Sequence, residues 1–256
     1  MAVQYRTSVE SGEEHRMRLF RHTALISAAV ATIALAGANA AAAEPDLSGP
    51  TFTAAPDMIA GSSPDGLGTW NVRYQRVDGG DPEIATAINE GIAAEATRQV
   101  QRQTWDGSTR RPWTFDATGK AYFRSIAVSE LFVGTYDTAE PNMPIDTVAS
   151  VVFDNRSGIR IGWDNLFRDK DAGLRRLSEQ TAAILSTEYS EPQRGDWQRN
   201  GALAPLDINF KYWIPTERGI ELHFPDYQFG RGLKVITVPW ARVADLIAPE
   251  LLPIMK

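Results

Sequence analysis

The sequence predicts an α+β fold: a mostly antiparallel sheet with two to three helices packed on one face. Three features carry that prediction. Short runs of alternating apolar residues, such as Trp70-Val72-Tyr74 and Ile220-Leu222-Phe224, recur between turn residues. Two longer stretches repeat at helical spacing instead, Ile84-Ile88-Ile92-Ala96-Val100 and Leu174-Leu177-Ile184-Leu185-Tyr189. The strand-like runs follow one another in hairpins rather than alternating strictly with helices, which is the order of an α+β domain and not of a doubly wound parallel sheet.

The N-terminus reads as an export signal over residues 1–43. Arg16, Arg18, Arg21 and His22 precede an uncharged run from Thr23 to Ala43 that contains Leu25, Ile26, Val30, Ile33 and Leu35. Ala38-Asn39-Ala40 and Ala41-Ala42-Ala43 are the small-x-small cleavage options, the second leaving Glu44 first in the mature chain, and Met17 is an alternative start. The expected protein is secreted or envelope-associated, with no stable membrane span after cleavage. Residues 44–69, dense in Pro, Gly, Ser and Thr, read as a flexible linker or arm. Residues 70–256 form the expected α+β domain, with a helix-bearing part over about 70–119 and a C-terminal part over about 120–256.

Within that domain, Trp70 to Tyr74 opens as a strand. Asp81-Pro82-Glu83 supplies a cap, a proline suited to the first helical position and an early acid for a helix running to about Gln103. Trp105, Trp113 and Phe115 then cluster among polar and turn residues. Tyr122 to Tyr136 reads as two strands or one bent strand, its irregular polar positions, Glu130 among them, indicating a bulge. Residues 137–146, with Pro141 and Pro144, are a loop. Val148 to Phe153, the turn Asp154 to Gly158, and Ile159-Ile161-Trp163 read as a hairpin. A short helix at Asp164 and a long one from about Asp171 to Tyr189 follow. Phe210-Tyr212-Ile214 is a strand, Gly219 to Phe224 another, and Pro225 to Gly232 an aromatic loop leading to a last strand. Val243, Leu246, Ile247 and Leu251 behind Pro239 predict a closing helix.

Composition excludes several chemistries. The 256 residues carry 43% hydrophobic content, ordinary for a chain with a real core, and a net charge of −6. An acidic exported chain is a poor nucleic-acid binder, because phosphate contacts from Lys and Arg dominate that binding. Cysteine is absent, and His223 is the one histidine beyond the expected signal, so a zinc site lacks ligands. Asp169, Asp171, Gly173 and Glu179 miss calcium-loop spacing, and the acids there fit helix capping instead. No G-x-S-x-G, P-loop or dinucleotide fingerprint occurs. No metal and no cofactor is expected.

Two segments resemble the RsiV-type domain of unknown function, found in ectodomains of bacterial lysozyme-sensing anti-sigma factors and in exported actinobacterial proteins. One runs from Phe153-Asp154 through Gly158, Ile159 and Ile161 to Asn165-Leu166-Phe167. The other is Gly219 to Tyr227 with Gly232, Val235, Val238-Pro239-Trp240 and the closing helix. Asp81 to Gln103, including Ile88-Asn89, is similar to the helix that precedes this domain in such proteins. Where the family often carries Gly-Gly-Ala-His, this chain has Asp137 to Pro144. The resemblance implies the fold of an extracytoplasmic binding module.

The expected partner is an envelope protein or glycan, held by aromatic loops. Tyr227, Phe229 and Arg231, with Trp105 and Trp113, are the candidate contacts, since Tyr, Trp and Arg dominate binding hot spots. The competing reading is a secreted hydrolase, an esterase or glycan-modifying enzyme, with His223 as base beside Glu221 and Asp226.

Overall fold

The computed structural model describes residues 51–106, 111–188 and 196–256. The expected signal at 1–43 lies outside them, as do the first residues of the expected arm. No described helix is long and apolar enough to cross a membrane.

The fold is α+β and mostly antiparallel. Five strands form one sheet in the order of the chain: β1 (Phe52–Ser62), β2 (Gly68–Gly79), β3 (Trp113–Phe123), β4 (Ala127–Thr138) and β5 (Ile145–Asp154). All neighbours are antiparallel except β2 and β3. A parallel pair needs a long crossover, and helix α1 (Pro82–Asp106) supplies it. Three further strands, β6 (Tyr212–Pro215), β7 (Gly219–Phe224) and β8 (Lys234–Pro239), make a separate antiparallel sheet.

The proline- and glycine-rich segment expected to be a linker contains β1. Its Pro56 occupies the outermost strand, where a missing N–H costs no ladder bond. Gly66 takes a left-handed backbone (φ 72°) in the turn to β2. Ser63 and Asp65 close that turn, with the Gly68 N–H donating to Ser63 Oγ at 2.7 Å and the Leu67 N–H to Asp65 Oδ1 at 3.0 Å.

Helix α1 begins where its cap predicts. Asp81 Oδ1 accepts the N–H groups of Glu83 and Ile84 at 2.8 and 3.2 Å. Ile88, Ile92 and Ala96 are fully buried against the large sheet. Asn89 pins the helix to β2 by bonding both backbone groups of Val77, at 2.7 and 2.9 Å. Gly91 lets the helix come close to β5, since a Cβ there would stand 2.4 Å from the Phe153 ring.

The second half departs from expectation in two places. The hairpin after β5 closes with a single bridge, Phe153 to Arg160, and Ile161 donates to the Val152 carbonyl at 2.7 Å. Pairing stops there because Asn165 claims the backbone, accepting from Gly162 N–H at 2.8 Å and donating to the Arg160 carbonyl at 2.9 Å. Trp163 accordingly starts a short helix, α2 (Trp163–Leu166), and α3 (Lys170–Glu188) follows. The expected closing helix is three 3-10 segments, Trp240–Arg242, Ala244–Leu246 and Pro249–Met255. Pro249 and Pro253 cannot donate within an α-helix, and the Ala248 N–H is drawn off to the Leu166 carbonyl at 2.8 Å.

Two cores result. Phe115, Phe132, Ile88 and Ile92 centre one between α1 and the large sheet. Leu177, Trp213, Phe224 and Phe229 belong to the other, which joins α3, the small sheet and the C-terminal turns. The expected boundary near residue 119 falls inside β3, and the two cores interleave along the chain, with Ile126, Ala127 and Val152 in the second and Tyr212 and Ile214 in the first. Ser150 stitches the sheets together, accepting from the Trp213 N–H at 2.8 Å and donating to its carbonyl at 2.9 Å.

Candidate functional site

The loop between β7 and β8 is tied down at several points. Asp226 Oδ1 accepts the N–H groups of Tyr227 and Gly232, and Oδ2 accepts the Asp146 N–H at 3.3 Å. The Tyr227 N–H also donates to the Gly230 carbonyl at 2.9 Å, which closes a tight turn. Gln228 donates to the Asn209 carbonyl at 2.9 Å. The loop also grips the segment before β5: the Tyr227 hydroxyl donates to the Asn142 carbonyl and Arg231 Nη2 to the Pro144 carbonyl, each at 3.3 Å.

Two of the expected contact residues meet in this assembly. The Tyr227 side chain is 53% exposed and Arg231 is exposed beside it. Phe229, expected on the same surface, points inward and is 1% exposed. It packs edge-on against Phe224 (4.7 Å between centroids) and Trp197 (5.2 Å), so it anchors the loop to the core rather than facing a partner. Trp113 is likewise buried, stacked on Trp70 at 6.3 Å and tilted against Tyr136 at 5.8 Å. Trp105, near the end of α1, is 89% exposed. The outward surface is therefore built from Tyr227 and Arg231, with Trp105 standing on another element.

Tyr227 holds a left-handed backbone, φ 70°, and so does Asn142 across from it, φ 68°. For a residue with a Cβ that conformation costs roughly 1–2 kcal/mol. The Asp226 carboxylate and the Gly230 carbonyl together hold Tyr227 there, and no local pattern of residues marks this strain.

Glu221 and His223 lie two apart on β7, and Glu221 Oε1 stands 3.0 Å from His223 Nε2. The ring N–H is not aimed at it, and Nε2 has no hydrogen-bond partner. His223 is 8% exposed; burial lowers its pKa, and the Glu221 charge opposes that shift without cancelling it. The imidazole is thus neutral near pH 7. Asp226 is occupied by backbone N–H groups, so the three expected catalytic candidates do not form one relay.

A recess that no sequence pattern marks lies at the other end of β7. Tyr122 near the end of β3, Arg124 just after it, Glu217 and Arg218 from the turn before β7, and Glu221 line about 430 Å3 of space. These residues come from two distant segments, and Glu221 alone among them stood out in the sequence.

The fold class is shared with known structures, whereas no family model and no curated protein matches the chain by sequence. The structural neighbours are DUF3298 family proteins. One, from Bacteroides fragilis, aligns with a TM-score of 0.53 at 12% identity over 82% of this chain and 98% of its own. Another, from Pseudomonas aeruginosa, gives 0.48 at 12% identity over 79% and 95%.

Proposed function

We propose that the chain is an exported, envelope-associated binding module of the RsiV-like type, which grips a protein or glycan with the loop between β7 and β8. The bracing of Tyr227 supports this reading more than any other observation. Strained backbone persists where surrounding contacts over-determine it, and it concentrates at ligand clamps and active sites. Here the strain presents a half-exposed phenol beside a guanidinium, the side-chain types enriched at binding hot spots. A loop already fixed by Asp226, Gln228 and Phe229 loses little conformational freedom when a partner docks.

Export rests on the basic stretch Arg16 to His22 and the uncharged run behind it. The mass of the mature chain recovered outside the cell tests that part, with Ala41 or Glu44 expected as its first residue. Binding is tested by co-sedimentation with isolated cell envelopes, before and after protease or glycan-hydrolase treatment. Loss after protease identifies a protein partner and loss after glycan hydrolysis a glycan. No retention by untreated envelopes contradicts the reading.

A further inference from the structure

The recess at the start of β7 has the character of a second ligand site, and it does not depend on the Tyr227 loop. Its volume, about 430 Å3, falls in the range of small-molecule pockets. One wall is the Glu221 carboxylate. Among the described residues, the one nitrogen within ion-pair distance of it is His223 Nε2, on an imidazole that burial keeps neutral near pH 7. Glu221 therefore has no cationic side chain within ion-pair distance where it meets the cleft.

The other polar groups of the cleft form no ion pair with that carboxylate. The Tyr122 phenol stays protonated, because burial first, and then the charges of Glu221 and Glu130, raise its pKa. Arg124 is held elsewhere: its Nη2 donates to the Lys256 backbone oxygen at 2.7 Å, and Nη1 stands 3.8 Å from Glu217. Its Nε is buried away from solvent with no partner. Arg218 is exposed, with no side-chain bond among the described residues. A carboxylate with no ion pair to a Lys or Arg side chain thus shares one cleft with a phenol, a second carboxylate, Glu217, and two guanidinium groups. Those guanidinium groups repel a divalent ion twice as strongly as a single positive charge, and they can bond the oxygens of a ligand that carries one.

We propose that this cleft binds a ligand carrying a primary ammonium group, with the ammonium on Glu221 and the ligand's hydroxyl or carboxyl oxygens on Tyr122 and Arg218. An amino sugar and the α-amine of a peptide both offer that chemistry.

Calorimetric titration of the whole mature protein with two ligand pairs separates the sources. The pairs are glucosamine against N-acetylglucosamine, and dialanine against N-acetyl-dialanine. Acetylation removes the positive charge and keeps most of the remaining shape. We expect the free amine of at least one pair to bind, and its acetylated partner to bind about tenfold or more weakly, a difference of one ion pair in a partly desolvated site. The pair that discriminates names the source. Glu221→Gln should abolish the discrimination while leaving the fold intact by circular dichroism. Equal binding of free and acetylated forms in both pairs, no binding by any of the four, or undiminished discrimination in a folded Glu221→Gln protein overturns the proposal. Should Glu221→Gln fail to fold, the ligand pairs on the unmodified protein still decide it.

Discussion

Tyr227 donates its phenolic hydroxyl to the Asn142 carbonyl at 3.3 Å, and both residues hold left-handed backbones. The bond joins the tip of the β7–β8 loop to the segment before β5, and it leaves half of the Tyr227 side chain in water. Such a residue adds little to stability, because its strain offsets the long bond that it makes.

Substitution should show this directly. Glycine tolerates the left-handed region and alanine does not. Tyr227→Gly is therefore expected to be more stable than Tyr227→Ala by about 1 kcal/mol, the reverse of the usual order of these two residues. Urea denaturation of the two variants measures the difference. Alanine equal to or better than glycine would mean that the backbone at this position is unstrained.

Phe229 should behave in the opposite way. Its ring is fully buried against Phe224 and Trp197, so Phe229→Ala removes core volume and is expected to cost about 3–5 kcal/mol. A urea midpoint lowered by that free energy divided by the slope, with the slope itself unchanged, is the expected result. A variant as stable as the parent would place Phe229 on the surface after all.

Asp226→Ala tests the bracing of the loop. It removes the acceptor for the N–H groups of Tyr227, Gly232 and Asp146. The expected cost is about 1–2 kcal/mol, since these are bonds to a charged group that is open to water on one side. Hydrogen exchange should quicken at Gly232 and Asp146 while amides of the large-sheet core, such as Phe132, keep their protection relative to global unfolding.

Glu130 should make stability fall with rising pH. Its side chain is fully buried on β4, with Oε1 accepting the Gln75 N–H at 2.9 Å and Oε2 unpartnered. Burial raises its pKa to about 8, against an ordinary value of 4.5, and the bond from Gln75 only partly opposes this. The folded state thus holds a proton that the unfolded state releases. The sign follows: the contribution is fully present below pH 4.5 and is lost progressively as pH rises from there to about 8. Glu130→Gln keeps an oxygen for Gln75 without the charge. It is expected to flatten the decline of Tm across that window and to gain a few kcal/mol over the parent above pH 8. Parallel profiles for the two proteins would show that the carboxyl is ionised in place.

The sequence signals that were legible here are local ones. Asp81 and Pro82 announced the start of α1, and the stripe from Ile84 to Val100 announced its buried side, because capping and helical period are written in neighbouring residues. The misread positions depend on partners far along the chain. Pro56 looked like a breaker, yet it is harmless on a strand whose outer edge is unpaired. The apolar spacing from Val243 to Leu251 suits an α-helix and a series of 3-10 turns equally, and the bond from Ala248 to Leu166 decides between them. Glu130 looked like the mark of a bulge; it fills the place beside Gly119 and Gln75 just beyond the last β2–β3 pair, Arg73 with Thr118. Of the candidate site, Tyr227 and Arg231 could be named from composition. The inward turn of Phe229 could not, since an aromatic residue in a glycine-rich loop reads the same whether it faces water or core.

The Tyr227 and Arg231 surface is proposed to capture a partner in the envelope. Co-sedimentation of purified mature protein with isolated envelopes, for the parent and for Tyr227→Gly combined with Arg231→Ala, tests it most directly when the melting temperature of each protein is measured alongside. The double variant is expected to melt within about 3 °C of the parent, since both side chains lie on the surface, and to be retained at least tenfold less, the loss of a two-residue hot spot. Equal retention of the two proteins, both folded, would contradict it.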